Sequence, residues 1–100
     1  MQAWETDGQV YYARGGQSPI PAPGNPGKRK HPVVIANARG QVLLVWTEGT
    51  GWNQGGDLAW QLFDPQDVPS GKSEQRKNVI PVWGSATAVS LPGDRFAILY

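Results

Sequence analysis

His31 to Asp64 reads HPVVIANARGQVLLVWTEGTGWNQGGDLAWQLFD. It holds three apolar runs, Val33 to Ala36, Val42 to Trp46 and Leu58 to Phe63, none interrupted by a charge. Each is short and rich in β-branched and aromatic side chains, which suits buried strands better than helices. Ala38-Arg39-Gly40 supplies a short hairpin turn, and Gly51 to Gly56 a longer glycine-rich loop. The stretch therefore predicts an antiparallel meander at the centre of the chain.

Outward from it the same grammar continues. Ala3 to Thr6 and Gln9 to Ala13 flank Asp7-Gly8, a dipeptide suited to a two-residue primed turn. SPIPAPGNPGKRK, residues 18–30, carries four Pro and two Gly and cannot be a central ladder strand. It reads as a solvated connection with Ile20 held in the core, or alternatively as a disordered linker. Pro65 to Asn78 is polar and reads as a surface loop. Asn78 to Trp83 reads as a short strand that Pro81 confines to an edge. Ala86 to Leu91 and Arg95 to Tyr100 form a last hairpin around Pro92-Gly93-Asp94.

Composition agrees with an all-β chain. One hundred residues allow one small domain, and 13 Gly and 9 Pro break the sequence too often for long helices. The net charge of +1 gives no global field toward nucleic acid, and Lys28-Arg29-Lys30-His31 is the one dense basic run. With no Cys and a single His, thiolate and His-based metal sites are excluded, and no cofactor is implied. No run of 18 apolar residues and no apolar leader core at the N-terminus point to a membrane partner or a targeting segment.

An internal repeat is the most informative feature. Residues 32–46, PVVIANARGQVLLVW, align without gaps on residues 86–100, ATAVSLPGDRFAILY, an offset of 54. Val34 falls on Ala88, Ile35 on Val89, Leu44 on Ile98 and Trp46 on Tyr100. Trp4-Glu5-Thr6 echoes Trp46-Thr47-Glu48, Val10-Tyr11-Tyr12 echoes Leu58-Ala59-Trp60, and Ile20-Pro21 echoes Ile80-Pro81. With the strands of one repeat named a to d, the chain reads b-c-d, a-b-c-d, a-b. A four-stranded meander repeated every 40–60 residues is the pattern of β-propeller blades. The expectation is about two such blades: a partial one with its connection over 1–30, a complete one over 31–84, and the first hairpin of a further one over 85–100. Two similar hairpins in a β-sandwich are the competing architecture. Within a blade, Val33 to Ala36 is expected to be the strand buried on both faces, and Trp4, Trp46, Trp60 and Trp83 to fill the space between sheets.

The segments HPVVIANARGQVLLVWTEGTGW and GGDLAWQLFD resemble the sialidase-like (BNR-repeat) β-propeller proteins, over roughly residues 3–15 and 31–100. The resemblance rests on blade pattern: the family's Asp-box, Ser/Thr-x-Asp-x-Gly-x-x-Trp, has no counterpart, since Asp7 and Gly8 are adjacent. It implies a six-bladed ring in an exported or periplasmic setting. No residue of the family's catalytic set carries over to a position here.

Candidate ligand-binding residues follow from connectivity. Antiparallel order puts the loops Gly24 to His31 and Thr47 to Asp57 on one face, gathering Arg29, Lys30, His31, Glu48, Trp52, Asn53 and Asp57. An indole beside amide, carboxylate and cationic groups suits a sugar, whose C–H face stacks while its hydroxyls take hydrogen bonds. Trp52 as a mere loop anchor is the plainer alternative, and Glu48 with Asp57 as a hydrolytic carboxylate pair a remoter one. A two-blade piece exposes apolar flanks, so its partners are expected to be copies of itself, three copies making six blades, or the remaining blades of a longer chain. Three functions stay open: a non-catalytic glycan-binding or assembly module, a piece of a sialidase-like hydrolase, and a purely structural ring.

Overall fold

A computed structural model describes residues 1–100. Nine strands and no helix build three antiparallel sheets. β1 (Gln2–Thr6), β2 (Gln9–Ala13) and β3 (Ile20–Pro21) form the first sheet, in that order. β4 (Arg29–Ala36), β5 (Val42–Glu48), β6 (Gly56–Phe63) and β7 (Glu74–Ile80) form the second, and β8 (Thr87–Leu91) with β9 (Arg95–Leu99) the third. Every sheet is a meander of neighbours in sequence, as the turn signals require.

The four-stranded sheet is the middle layer. Along β5, Val42, Leu44 and Trp46 join Val10, Tyr12, Ala22, Ala59 and Phe63 in a core against the first sheet. The alternate residues Leu43 and Val45 join Leu58, Ile80, Ala86 and Ala88 in a second core against the third sheet. Side chains alternate along a strand, so covering both faces demands an unbroken apolar run, and β5 supplies one. The strand buried on both faces is thus β5, not Val33 to Ala36. β4 is an edge strand with one neighbour, and those four residues are half-buried or exposed.

The repeat holds residue by residue in the hydrogen-bonded register. Val33↔Val45, Val34↔Leu44, Ile35↔Leu43 and Ala36↔Val42 in β4–β5 recur, 54 residues on, as Thr87↔Leu99, Ala88↔Ile98, Val89↔Ala97 and Ser90↔Phe96 in β8–β9. In the first sheet, Trp4↔Tyr11 and Glu5↔Val10 match Trp46↔Ala59 and Thr47↔Leu58. The echo of Ile20-Pro21 in Ile80-Pro81 does not hold. Pro21 pairs with Tyr11 and Ile20 with Tyr12, so their counterparts are Gln75 and Glu74, the partners of Ala59 and Trp60.

Three further expectations are corrected. Ile20 is exposed, and Ala22 is the residue of that segment in the core, because β3 pairs only at its two residues and then turns inward. The strand expected over Asn78 to Trp83 instead begins at Glu74, inside the supposed polar loop. As the outer edge of its sheet, β7 pairs through its backbone and leaves its charged side chains in water, so no apolar period marks it. Pro81 comes after it, in a turn closed by Gly84 N–H to Pro81 C=O at 2.8 Å. That turn holds Trp83 out in solvent rather than between sheets.

Candidate functional site

Arg29 and Glu48 are Cα partners at the end of β4–β5 and form a closed polar clip. The buried Arg29 guanidinium donates through Nη1 to Gln9 Oε1 (2.9 Å) and Ala22 C=O (2.8 Å), and through Nη2 to Pro23 C=O (2.6 Å). Its Nε lies 3.3 Å from Glu48 Oε1, close enough for ion pairing but without hydrogen-bond geometry. Glu48 accepts from Trp46 Nε1 at 2.8 Å and from Gln75 Nε2 at 3.0 Å. The guanidinium carbon also sits 5.4 Å from the centre of the Trp46 ring. Burial pulls the Arg29 pKa below its ordinary value, and the Glu48 charge partly offsets that. These contacts lock the first sheet onto the second.

Asp57 is likewise engaged. Its Oδ1 accepts from the Asn78 N–H at 2.9 Å and its Oδ2 faces Lys77 Nζ at 3.3 Å, beside the bulge between Gly56 and Leu58. The two carboxylates thus belong to separate structural contacts, and the hydrolytic pairing of Glu48 with Asp57 gains no support.

Lys30, His31 and Trp52 do come together. β4 carries a bulge between Lys30 and Val33, which re-aims the side chains there. The bulge puts His31 at φ 55°, a left-handed backbone uncommon outside glycine. Opposite it, Thr47 Oγ1 donates to the Lys30 C=O at 3.1 Å, and Gly49 N–H donates to Lys28 C=O at 3.0 Å, binding the two loops to each other. Gly51 and Gln54 exchange backbone hydrogen bonds around Trp52-Asn53. Asn53, at φ 54°, takes the left-handed position that Asn tolerates, and Trp52 is left 84% exposed at the tip.

The fourth wall is Trp83. It occupies the third position of the Pro81–Gly84 turn at φ 64°, where glycine is usual, and is 72% exposed. Its ring meets that of Trp52 edge to face, centroids 5.4 Å apart and planes at 86°. Gly55 permits this approach: a Cβ there would lie 2.5 Å from the Ile80 carbonyl oxygen. The result is a cleft of about 240 Å³ lined by Lys30, His31, Thr50, Gly51, Trp52, Trp83 and Gly84. No carboxylate lines it.

Sequence reasoning thus located three of the cleft's side chains and missed Trp83. The signal that marks it is the Pro-Val-Trp-Gly tetrapeptide, which reads as a turn once β7 is known to end at Ile80. Comparison with protein-family models, with curated proteins and with solved structures found no match for this chain.

Proposed function

We propose that the chain is a non-catalytic binding module of β-propeller type, its stacked sheets serving as blades, that takes a saccharide in the Trp52–Trp83 cleft. The observation that carries this reading is the contact of two exposed indoles, Trp52 and Trp83, beside Lys30 and His31. His31 and Trp83 both hold left-handed backbone, and both line the cleft between two exposed indoles. Each such residue costs on the order of 1–3 kcal/mol, and strain of this kind gathers at ligand clamps. Exposed tryptophans in mutual contact present flat apolar faces at small entropic cost.

The polar neighbours narrow the ligand. Lys30 and His31 flank the indoles with donors, and the absence of a carboxylate in the lining favours an acidic sugar over a neutral one. An organic cation, the other common occupant of an aromatic cage, would meet the Lys30 ammonium. The volume lies below the ~300–1,000 Å³ of drug-sized sites, which suits a single sugar ring. A glycan array carrying neutral and carboxylated or sulfated sugars tests the reading. The wild-type chain should bind acidic glycans and Trp52→Ala should lose the signal; equal binding by both proteins would remove Trp52 from the site.

A further inference from the structure

The repeat leaves two sheets incomplete in complementary ways. By register, β4 and β8 hold one position and β5 and β9 the next, while β1 also matches β5, and β2 and β3 match β6 and β7. The first sheet therefore lacks the strand before β1, and the third lacks the two strands after β9.

Each shortage uncovers apolar surface. Beside β9, the side of β6 that faces the third sheet runs past the end of its cover. Leu58, Trp60 and Leu62 there form, with Phe96, Ile98 and Tyr100, an open groove of about 540 Å³. On the far face of the first sheet, the half-buried Trp4 and Tyr11 stack with ring centroids 6.3 Å apart, and no further sheet lies on that side. Their register counterparts, Trp46 and Ala59, are buried by the sheet preceding theirs. Val89 and Leu99 are exposed on the far face of the third sheet, whereas their counterparts Ile35 and Val45 pack in a core.

We infer that these surfaces fit one another between copies of this chain, the first sheet of one copy completing the third sheet of the next. β2 and β3 of the incoming copy supply the two strands missing after β9, which brings Tyr11 over the Trp60–Leu62 groove. β8 supplies the strand missing before β1, which sets Val89 against the half-buried Val34 of the incoming copy. β1 and β9 match the same strand, so one displaces the other, and Trp4 and Tyr100 are interchangeable at that place. The new contact continues the two sheet-on-sheet interfaces already present within the chain. It joins unlike surfaces, so it propagates head to tail until a ring closes.

Light scattering across a concentration series, on the 10.9 kDa chain, tests this. Wild type should show a multiple of the monomer mass. Tyr11→Arg, on the incoming face, and Leu62→Glu, in the groove, should each be monomeric alone. An equimolar mixture should give a dimer and nothing larger, because one intact face and one intact groove remain. Circular dichroism checks that each variant folds. Where the first does not, Tyr11→Glu replaces Tyr11→Arg and Trp60→Glu replaces Leu62→Glu; the replacement should be monomeric alone and pair when mixed with the variant of the other surface. A wild-type chain monomeric at every concentration overturns the inference, as do oligomers indifferent to these substitutions or variants that fail to pair when mixed.

Discussion

Arg29 faces Glu48 across β4 and β5 with 3.3 Å between Nε and Oε1, and the arginine is 1% exposed. A cation this deeply buried is tolerated only when it is paired with an opposite charge and most of its donors are bonded. Here three acceptors from the first sheet and its trailing loop share the work with one carboxylate of the second. The pair is a clamp between layers, which explains why the basic run at residues 28–31 is not a single binding surface.

Glu48→Gln should therefore destabilise the fold by about 3 kcal/mol, since it strands a buried guanidinium. Arg29→Lys should destabilise too, because an ammonium keeps the charge but not the fork that reaches Gln9, Ala22 and Pro23 together. Urea denaturation measures both. Stability unchanged by either substitution would mean the clamp is ornamental.

Trp83 separates binding from folding. Its left-handed backbone strains any residue with a Cβ, so Trp83→Gly should be more stable than Trp83→Ala by about 1 kcal/mol. Both should lose saccharide binding alike, because both lack the ring that meets Trp52. Thermal melts and the glycan array read the two effects independently.

Tyr12 gives a pH dependence. It packs edge-on against Phe63 in the core, centroids 4.8 Å apart, and burial raises its phenol pKa. The folded state thus holds the phenol proton more tightly than the unfolded one. The stability this lends is present at neutral pH and is lost as pH climbs past ~10, the ordinary tyrosine value. Between pH 8 and pH 11 the urea midpoint of wild type should fall further than that of Tyr12→Phe. Equal losses would contradict the assignment.

How far the sequence speaks depends on what surrounds each strand. Strands with a buried face, such as β5, β6 and the β8–β9 hairpin, were legible because burial writes an apolar pattern. The 54-residue repeat between the two hairpins was legible for the same reason. β7 was not, since an exposed edge needs only backbone hydrogen bonds, and EQRKNVI carries almost no apolar period. Arg29 misled as a surface charge because its burial depends on the Gln9 side chain, 20 residues away, and on the backbone carbonyls of Ala22 and Pro23, which leave no mark in the sequence. At the cleft, Trp52 stood out in a glycine-rich loop. Trp83 sat in what read as an apolar strand, and only the turn after Ile80 reveals that it points into solvent.

The most direct measurement of the account is the indole region of a 1H–15N spectrum, where the five tryptophans each give one signal. On titration with the best acidic glycan from the array, the Trp52 and Trp83 signals should shift together, while that of Trp46, bonded to Glu48, stays in place. Shifts confined to Trp4 or Trp60, or a bound glycan that moves neither Trp52 nor Trp83, would contradict it.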